Sequence, residues 1–224
     1  MKTFRERGLM LYPMNLDLSG RCCAVIGGGR VAERKITALL SAGAEVTVIA
    51  PALTDFLSKL AGDGSLKWVA EPFQAGMLAP LHPLLVFCTS DCGEVNRRAA
   101  EEAAALGALV NDASCPERTD FQVPSCVQRG RLLMTVSTDG ASPALSRLLR
   151  RDLEKQYPEF FGVFLDRLAR IRQEVLAMPG GADAHQRFWR KVLNEQILEL
   201  VRTGRIDQAE EEIRHGIIDA GIES

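Results

Sequence analysis

No cysteine pair at C-x-x-C spacing, no clustered histidines and no apolar run of bilayer length occurs in this 224-residue chain. The first absence removes zinc-ribbon and thioredoxin-like readings of the cysteines at 22, 23, 88, 92, 115 and 126. Cys22, Cys23 and Cys88 fall in apolar strands, where a thiol behaves as a small apolar group, whereas Cys92, Cys115 and Cys126 fall in or near loops. His82, His185 and His215 share no motif, so no metal-ligand set is expected. A bilayer span needs roughly 20 apolar residues, and none is present, which argues against a membrane partner. Charge of one sign is missing too: 27 Lys and Arg against 29 Asp and Glu leave a net charge of -2, giving no support to nucleic-acid binding. The stretch from Met1 to Pro13 has basic residues but no long apolar segment before a cleavage site, so no signal peptide is read and a cytoplasmic chain is expected.

What is present is concentrated in Cys-Cys-Ala-Val-Ile-Gly-Gly-Gly-Arg-Val-Ala-Glu-Arg-Lys, residues 22 to 35. An apolar strand runs into a glycine turn and then into a helix. Gly27-x-Gly29-x-x-Ala32 fills the dinucleotide frame: Gly27 permits the tight turn, Gly29 lets backbone approach phosphates, and Ala32 allows close packing of helix on sheet. Gly28, Arg30 and Val31 complete the turn and the first helical residues, whose N–H groups face an anion. The acidic residue expected about 20 positions on, for a ribose hydroxyl, is absent. The second strand ends Ile49-Ala50-Pro51-Ala52, so backbone around Pro51 and Ala52 has to hold an adenosine, and NAD is not separated from NADP. Arg30 either approaches a 2′-phosphate or is a solvated first-turn side chain.

Helical spacing of Ala32, Ile36, Leu39 and Leu40, followed by Val46-Thr47-Val48-Ile49, makes a βαβ unit. A helix over 52–61, strands over 66–69 and 84–88, a helix over 94–106 and a strand over 108–110 continue the alternation, which implies a parallel sheet covered on both faces. Thr89-Ser90-Asp91 and Asn111-Asp112-Ala113-Ser114 then lie at the carboxyl edge, where ligands of such sheets gather. Thr89 begins either a ligand loop or a helix cap. Asp112 is placed to take up a proton as a substrate carbon loses hydride, although an Asx turn explains the same residues.

From about residue 113 the texture changes. Strands over 121–127 and 132–137 read as a hairpin around Gln128-Arg129-Gly130-Arg131, and Ser142-Pro143 starts a helix with Leu145, Leu148, Leu149 and Leu153 on one face. Helices over 159–177, 184–202 and 206–218 follow. Such a hairpin and leucine face need a partner surface, either a second copy in a homodimer or the chain's own sheet. Ser137-Thr138-Asp139-Gly140-Ala141-Ser142-Pro143 brings hydroxyls and helix N–H groups to an anionic ligand. Arg118, Arg129, Arg131, Arg147, Arg150 and Arg151 flank these segments, an arrangement that suits a polycarboxylate or, residue by residue, a solvated face.

Leu-Asp-Leu-Ser-Gly-Arg before the first strand, the glycine segment, Asp-Phe-Gln-Val-Pro-Ser at 120 to 125 and Ser-Thr-Asp-Gly-Ala-Ser-Pro-Ala-Leu-Ser-Arg at 137 to 147 together resemble the precorrin-2 dehydrogenase family. That family includes the amino-terminal part of siroheme synthases. The likeness covers residues 10 to 155, and the Arg187-Phe188-Trp189 helix more loosely. It implies an α/β chain with a Rossmann-like NAD-binding domain over 1–112, a small α+β dimerisation segment over 113–150 and a helical domain over 151–224. It also implies a cytoplasmic homodimer that oxidises the tetrapyrrole precorrin-2 to sirohydrochlorin with NAD. By motif, Gly27, Gly29, Arg30, Val31, Pro51 and Ala52 fall on the family's NAD contacts, and Ser137 and Thr138 on its tetrapyrrole cleft. Some members also insert ferrous iron.

The family's aspartate ahead of the Asp-Phe motif falls here on Ser114. Either the loop is shifted and Asp112 substitutes, or the aspartate is not required for oxidation; chelation, which needs a group to take pyrrole protons, is the weaker expectation. A non-catalytic NAD(H)-sensing module is the competing reading, but it gives the arginine-flanked hairpin no purpose.

Overall fold

Short, near-continuous runs of apolar and β-branched residues build the sheet. In the computed structural model, which describes residues 11–179 and 181–219, the first part of the chain runs β1 (Cys22–Ile26), α1 (Arg30–Ser41), β2 (Glu45–Ile49), α2 (Asp55–Gly62), β3 (Lys67–Val69), β4 (Leu85–Cys88), α3 (Gly93–Ala105) and β5 (Leu109–Asp112). All five strands are parallel, in the order β3-β2-β1-β4-β5, with Val25 registered against Val48 on one side and Phe87 on the other. Because strand side chains alternate between faces, Cys23, Val25, Val46, Val48, Leu85 and Phe87 pack with Ala32, Ile36 and Leu39 of α1. Ala24, Ile26, Val86, Cys88 and Val110 pack on the other face with Ala99, Ala100 and Ala103 of α3. Both faces are thereby covered, as the near-continuous apolar strands require.

Element edges move where local hydrogen bonds intervene. The helix expected from Ala52 starts at Asp55, because Thr54 caps it by accepting from Leu57 N and leaves Pro51 and Ala52 outside it. The strand expected from Phe121 starts at Ser125 instead. Residues before it fold back on β5: Asp120 N donates to Val110 O, Asp120 Oδ2 accepts from Val110 N, and Asn111 Nδ2 donates to Phe121 O. The Phe121 ring then meets Phe87 edge-on at 5.3 Å.

The chain divides between Val123 and Pro124 into two compact units. In the second, β6 (Ser125–Arg129) and β7 (Leu132–Val136) pair antiparallel through a turn in which Gly130 has φ +54°, with Val127 opposite Met134. Then come α4 (Pro143–Gln156), α5 (Phe160–Ala177), α6 (Ala182–Val192), α7 (Glu195–Arg202) and α8 (Ile206–Asp219). Ser142 caps α4 by accepting from Leu145 N, with Pro143 in its first turn. The single helix expected over 184–202 is two helices: Asn194 turns extended and its side chain accepts from Ile197 N, so α7 begins with its own cap. Phe161, Phe164, Ile171, Val175, Phe188, Val201 and Ile213 lie in the core of this bundle. Leu145, Leu148 and Leu149 of α4 stay exposed. The reading of the extreme amino terminus falls largely outside the described residues, as does Gly180 between α5 and α6. No helix among the described residues is long and apolar enough to cross a membrane.

Candidate active site

In the strand order above the chain reverses direction of winding between β1 and β4, and open α/β sheets bind ligands in the crevice at such a reversal. The glycine turn follows β1 at this point. Gly27 sits at φ +110°, and a Cβ there would come within 2.9 Å of Ser90 N and Thr89 C. A Cβ on Gly28 would overlap Ala52 O and Leu53 Cδ2. Gly29 differs: its Cβ direction meets nothing within 4 Å, and it stands at the start of α1 with no side chain capping the helix. First-turn N–H groups lack intrahelical acceptors, so Gly29, Arg30 and Val31 offer donors and a helix dipole beside open space. That cradle fits a dinucleotide pyrophosphate. Ala32 is fully buried against the sheet.

Beyond β2 the loop is pinned to the glycine turn. Thr54 N donates to Gly28 O at 3.0 Å, and Thr54 Oγ1 donates to Glu33 Oε2 at 2.7 Å. Trp68 Nε1 donates to Ala50 O at 2.9 Å from β3. Pro51 and Ala52 are left exposed between these two anchored residues, Ala50 and Thr54. A groove of about 660 Å³ opens alongside, lined by Arg30, Val31, Glu33, Arg34, Thr54 and Phe56, with Asp55 among its walls. No acid follows β2 directly, but Glu33 and Asp55 bring carboxylates, and Arg30 and Arg34 guanidinium groups, to this groove.

Thr89 is buried, and both its N and Oγ1 donate to Ile26 O, at 2.8 and 3.0 Å, tying β4 to β1. Its hydroxyl is thus committed to the wall of the crevice. Next to it, Asn96 of α3 is entirely buried. Asn96 Oδ1 accepts from Ser90 N and Oγ, and its Nδ2 donates to Ser90 O and to Ser114 Oγ. Sequence reading passed over this asparagine, since its partners come from two other loops; a polar residue on the otherwise alanine-rich buried face of α3 was the available signal.

Ser114 Oγ in turn donates to Asp112 Oδ1 at 2.6 Å, and Ser114 N donates to the same oxygen at 2.8 Å. The Asx turn is therefore real. Arg118 Nε donates to Asp112 Oδ2 at 2.8 Å; the Asp112 side chain is wholly buried and that of Arg118 is 32% exposed. The bond to Asp112 raises the affinity of the Arg118 guanidinium for its proton. Burial, with the Asp112 charge adding to it, pushes the Cys88 thiol up to about 12. A carboxylate fixed by one cation and one hydroxyl, at the rim of the crevice, can draw a proton through that hydroxyl.

In the second unit Thr138 Oγ1 donates to Ser142 O, accepts from Ser142 N and lies 3.0 Å from Ser146 Oγ. Ser137 is exposed and its Oγ accepts from Asp139 N. Arg129 is committed elsewhere: Nε donates to Tyr157 O at 3.0 Å, and Nη1 pairs with Glu159 at 3.1 Å. Arg150 pairs with Glu154, and Arg131 with Asp166. Arg147 is exposed and has no carboxylate partner among the described residues.

A family model described as "Putative NAD(P)-binding" matches residues 14–125, half of the chain. The chain belongs to that family. Models described as sirohaem biosynthesis protein central and sirohaem synthase dimerisation region follow in order over residues 129–156 and 161–217, so the precorrin-2 dehydrogenase family resemblance read from the motifs holds along the chain. The siroheme synthase of Nitrosococcus oceani is 37% identical over 96% of this chain and 44% of its own length. That of Neisseria meningitidis serogroup C is 35% identical over 90% of this chain and 42% of its own. The chain thus spans under half the length of these curated relatives. A solved structure of SirC, precorrin-2 dehydrogenase, superposes with a TM-score of 0.74 at 28% identity, covering 90% of this chain and all of that one.

Proposed function

We propose that this chain oxidises precorrin-2 to sirohydrochlorin with NAD as the hydride acceptor. The observation that carries the proposal is the meeting, at one sheet edge, of the open helix start at Gly29 with the Asp112–Ser114 hydroxyl–carboxylate pair. Family membership and the SirC likeness support the same reading. NAD, when bound, supplies the acceptor for a hydride leaving the macrocycle; the accompanying proton must go elsewhere.

The residues divide the work as follows. Gly27 and Gly28 shape the turn, while Gly29, Arg30 and Val31 give N–H groups to the pyrophosphate. Pro51 and Ala52 would present backbone to the adenosine, and Thr89, bonded to Ile26 O, would brace the crevice that takes the rest of the cofactor. Ser114 hands the released proton to Asp112, whose carboxylate Arg118 holds in position through Nε. Ser137 and Arg147 hold substrate carboxylates, with Thr138 bracing their turn through Ser142; the Arg147 guanidinium, exposed and without a carboxylate partner among the described residues, suits bidentate pairing. The exposed part of Arg118 also suits a carboxylate, and Arg129 braces the hairpin through Tyr157 and Glu159. The exposed Leu145, Leu148 and Leu149 contribute to a homodimer contact. Six free thiols support a cytoplasmic setting for this reaction.

Anaerobic incubation of the purified protein with precorrin-2 and NAD is expected to give the sirohydrochlorin spectrum. A spectrum unchanged beyond the enzyme-free control would reject the proposal.

A further inference from the structure

On α3, Asn96 shares its buried face with Ala99, Ala100 and Ala103. An amide costs stability in such a place unless its donors and acceptor are satisfied. Here Oδ1 accepts from Ser90 N at 3.0 Å and from Ser90 Oγ at 2.8 Å, while Nδ2 donates to Ser90 O at 2.9 Å and to Ser114 Oγ at 3.2 Å. Both hydrogens and both lone pairs are used.

These partners leave the amide a single orientation. A backbone N–H can only donate and a carbonyl only accept, so the oxygen of Asn96 must face Ser90 N and its nitrogen Ser90 O. The second N–H is then aimed at Ser114 Oγ, which has to accept it. A serine hydroxyl carries one hydrogen, and with this side of the oxygen taken it goes to Asp112 Oδ1 at 2.6 Å. The Ser114 backbone needs no such help: Ala113 N donates to Cys88 O, Asp112 N to Thr119 Oγ1 and Ser114 N to Asp112 Oδ1. What Asn96 adds therefore falls on the hydroxyl.

We infer that Asn96 is a positioning residue for proton transfer, holding the Ser114 hydroxyl so that it donates to Asp112 and keeps one lone pair for the proton that the substrate releases. This rests on the precorrin-2 oxidation proposed above. As hydride passes to NAD, the bond to the departing proton breaks and its electron pair stays in the new double bond of the macrocycle. That proton joins Ser114 Oγ, and the proton Ser114 already held crosses to Asp112 Oδ1.

Asn96→Asp retains an oxygen for Ser90 N but loses the donor to Ser114. In anaerobic precorrin-2 oxidation its kcat is expected to fall at least about tenfold, with KM for precorrin-2 and for NAD changed less than about twofold. In the Ser114→Ala protein no hydroxyl is left to aim, so adding Asn96→Asp lowers kcat by less than about twofold more. Rates are taken where circular dichroism shows each variant folded. Should Asn96→Asp not fold, Asn96→Ala, which suits this alanine-rich helix, enters the same cycle. Equal losses with and without the Ser114 hydroxyl, a loss carried by KM alone, or an unchanged kcat overturns the inference while leaving the oxidation intact. No oxidation by the unaltered protein rejects the functional reading and the inference together.

Discussion

The sheet unit and the helical unit carry their information differently. Around the glycine turn, function is written in backbone: what matters is where a Cβ is missing and where N–H groups point. In the helical unit what is offered is side chains: exposed leucines on α4 and, beside them, Arg147 with no carboxylate partner among the described residues. Backbone sites are dictated by short stretches of sequence, whereas side-chain surfaces acquire meaning only when something docks on them.

The sharpest way to break this contrast lies in two neighbouring glycines. Gly28→Ala drives a methyl group into Ala52 O, and it is expected to destabilise the sheet unit by about 3 kcal/mol and to abolish NADH binding. Gly29→Ala meets open space, so the fold persists while NADH affinity falls at least about tenfold through loss of pyrophosphate approach. Thermal unfolding and NADH fluorescence titration separate the two; equal effects on stability would show that the turn is not read by backbone clearance.

A smaller effect is expected at the rim. Asp112→Ala and Ser114→Ala should each lower kcat for precorrin-2 oxidation by about a hundredfold, with NADH affinity nearly unchanged. If neither slows the reaction, the proton leaves by another route. In the helical unit, Leu148→Glu with Leu149→Glu should weaken self-association at least about tenfold without changing the far-ultraviolet spectrum, as measured by sedimentation.

The mildest test is alkaline. Burial pushes Cys23 from 9.0 to about 11 and Cys88 from 9.0 to about 12. The folded sheet keeps these protons where the unfolded chain releases them, so the stabilisation is complete below pH 9 and is lost as pH rises toward 12. Each thiol contributes a slope of up to about 1.4 kcal/mol per pH unit. The helical unit's one thiol, Cys126, is exposed. A Cys23→Ala, Cys88→Ala pair should therefore flatten the pH dependence of sheet unfolding alone.

The legibility of the sequence follows the same division. The G-x-G-x-x-A frame, the parallel alternation and the Ser142-Pro143 helix start are local patterns, and each stands where its spacing placed it. The break at Asn194 was hidden because apolar periodicity runs through it on both sides. Arg129 reads as a free guanidinium until Tyr157 and Glu159, about thirty residues downstream, are folded beside it. Asn96 is invisible for a related reason: its worth lies in joining Ser90 to Ser114, which only the sheet brings together. Even the need for Gly28 depends on Ala52, one strand away.

The central claim is that hydride acceptor and proton acceptor meet at a single strand edge. Single-turnover anaerobic oxidation of precorrin-2, following NADH and sirohydrochlorin together, tests this most directly. The account predicts that both appear in equal amounts and at one rate, slowed by Gly29→Ala and restored by excess NAD. Sirohydrochlorin formed at the same rate without NAD, or at an unaltered rate in the Gly29→Ala protein at limiting NAD, would contradict it.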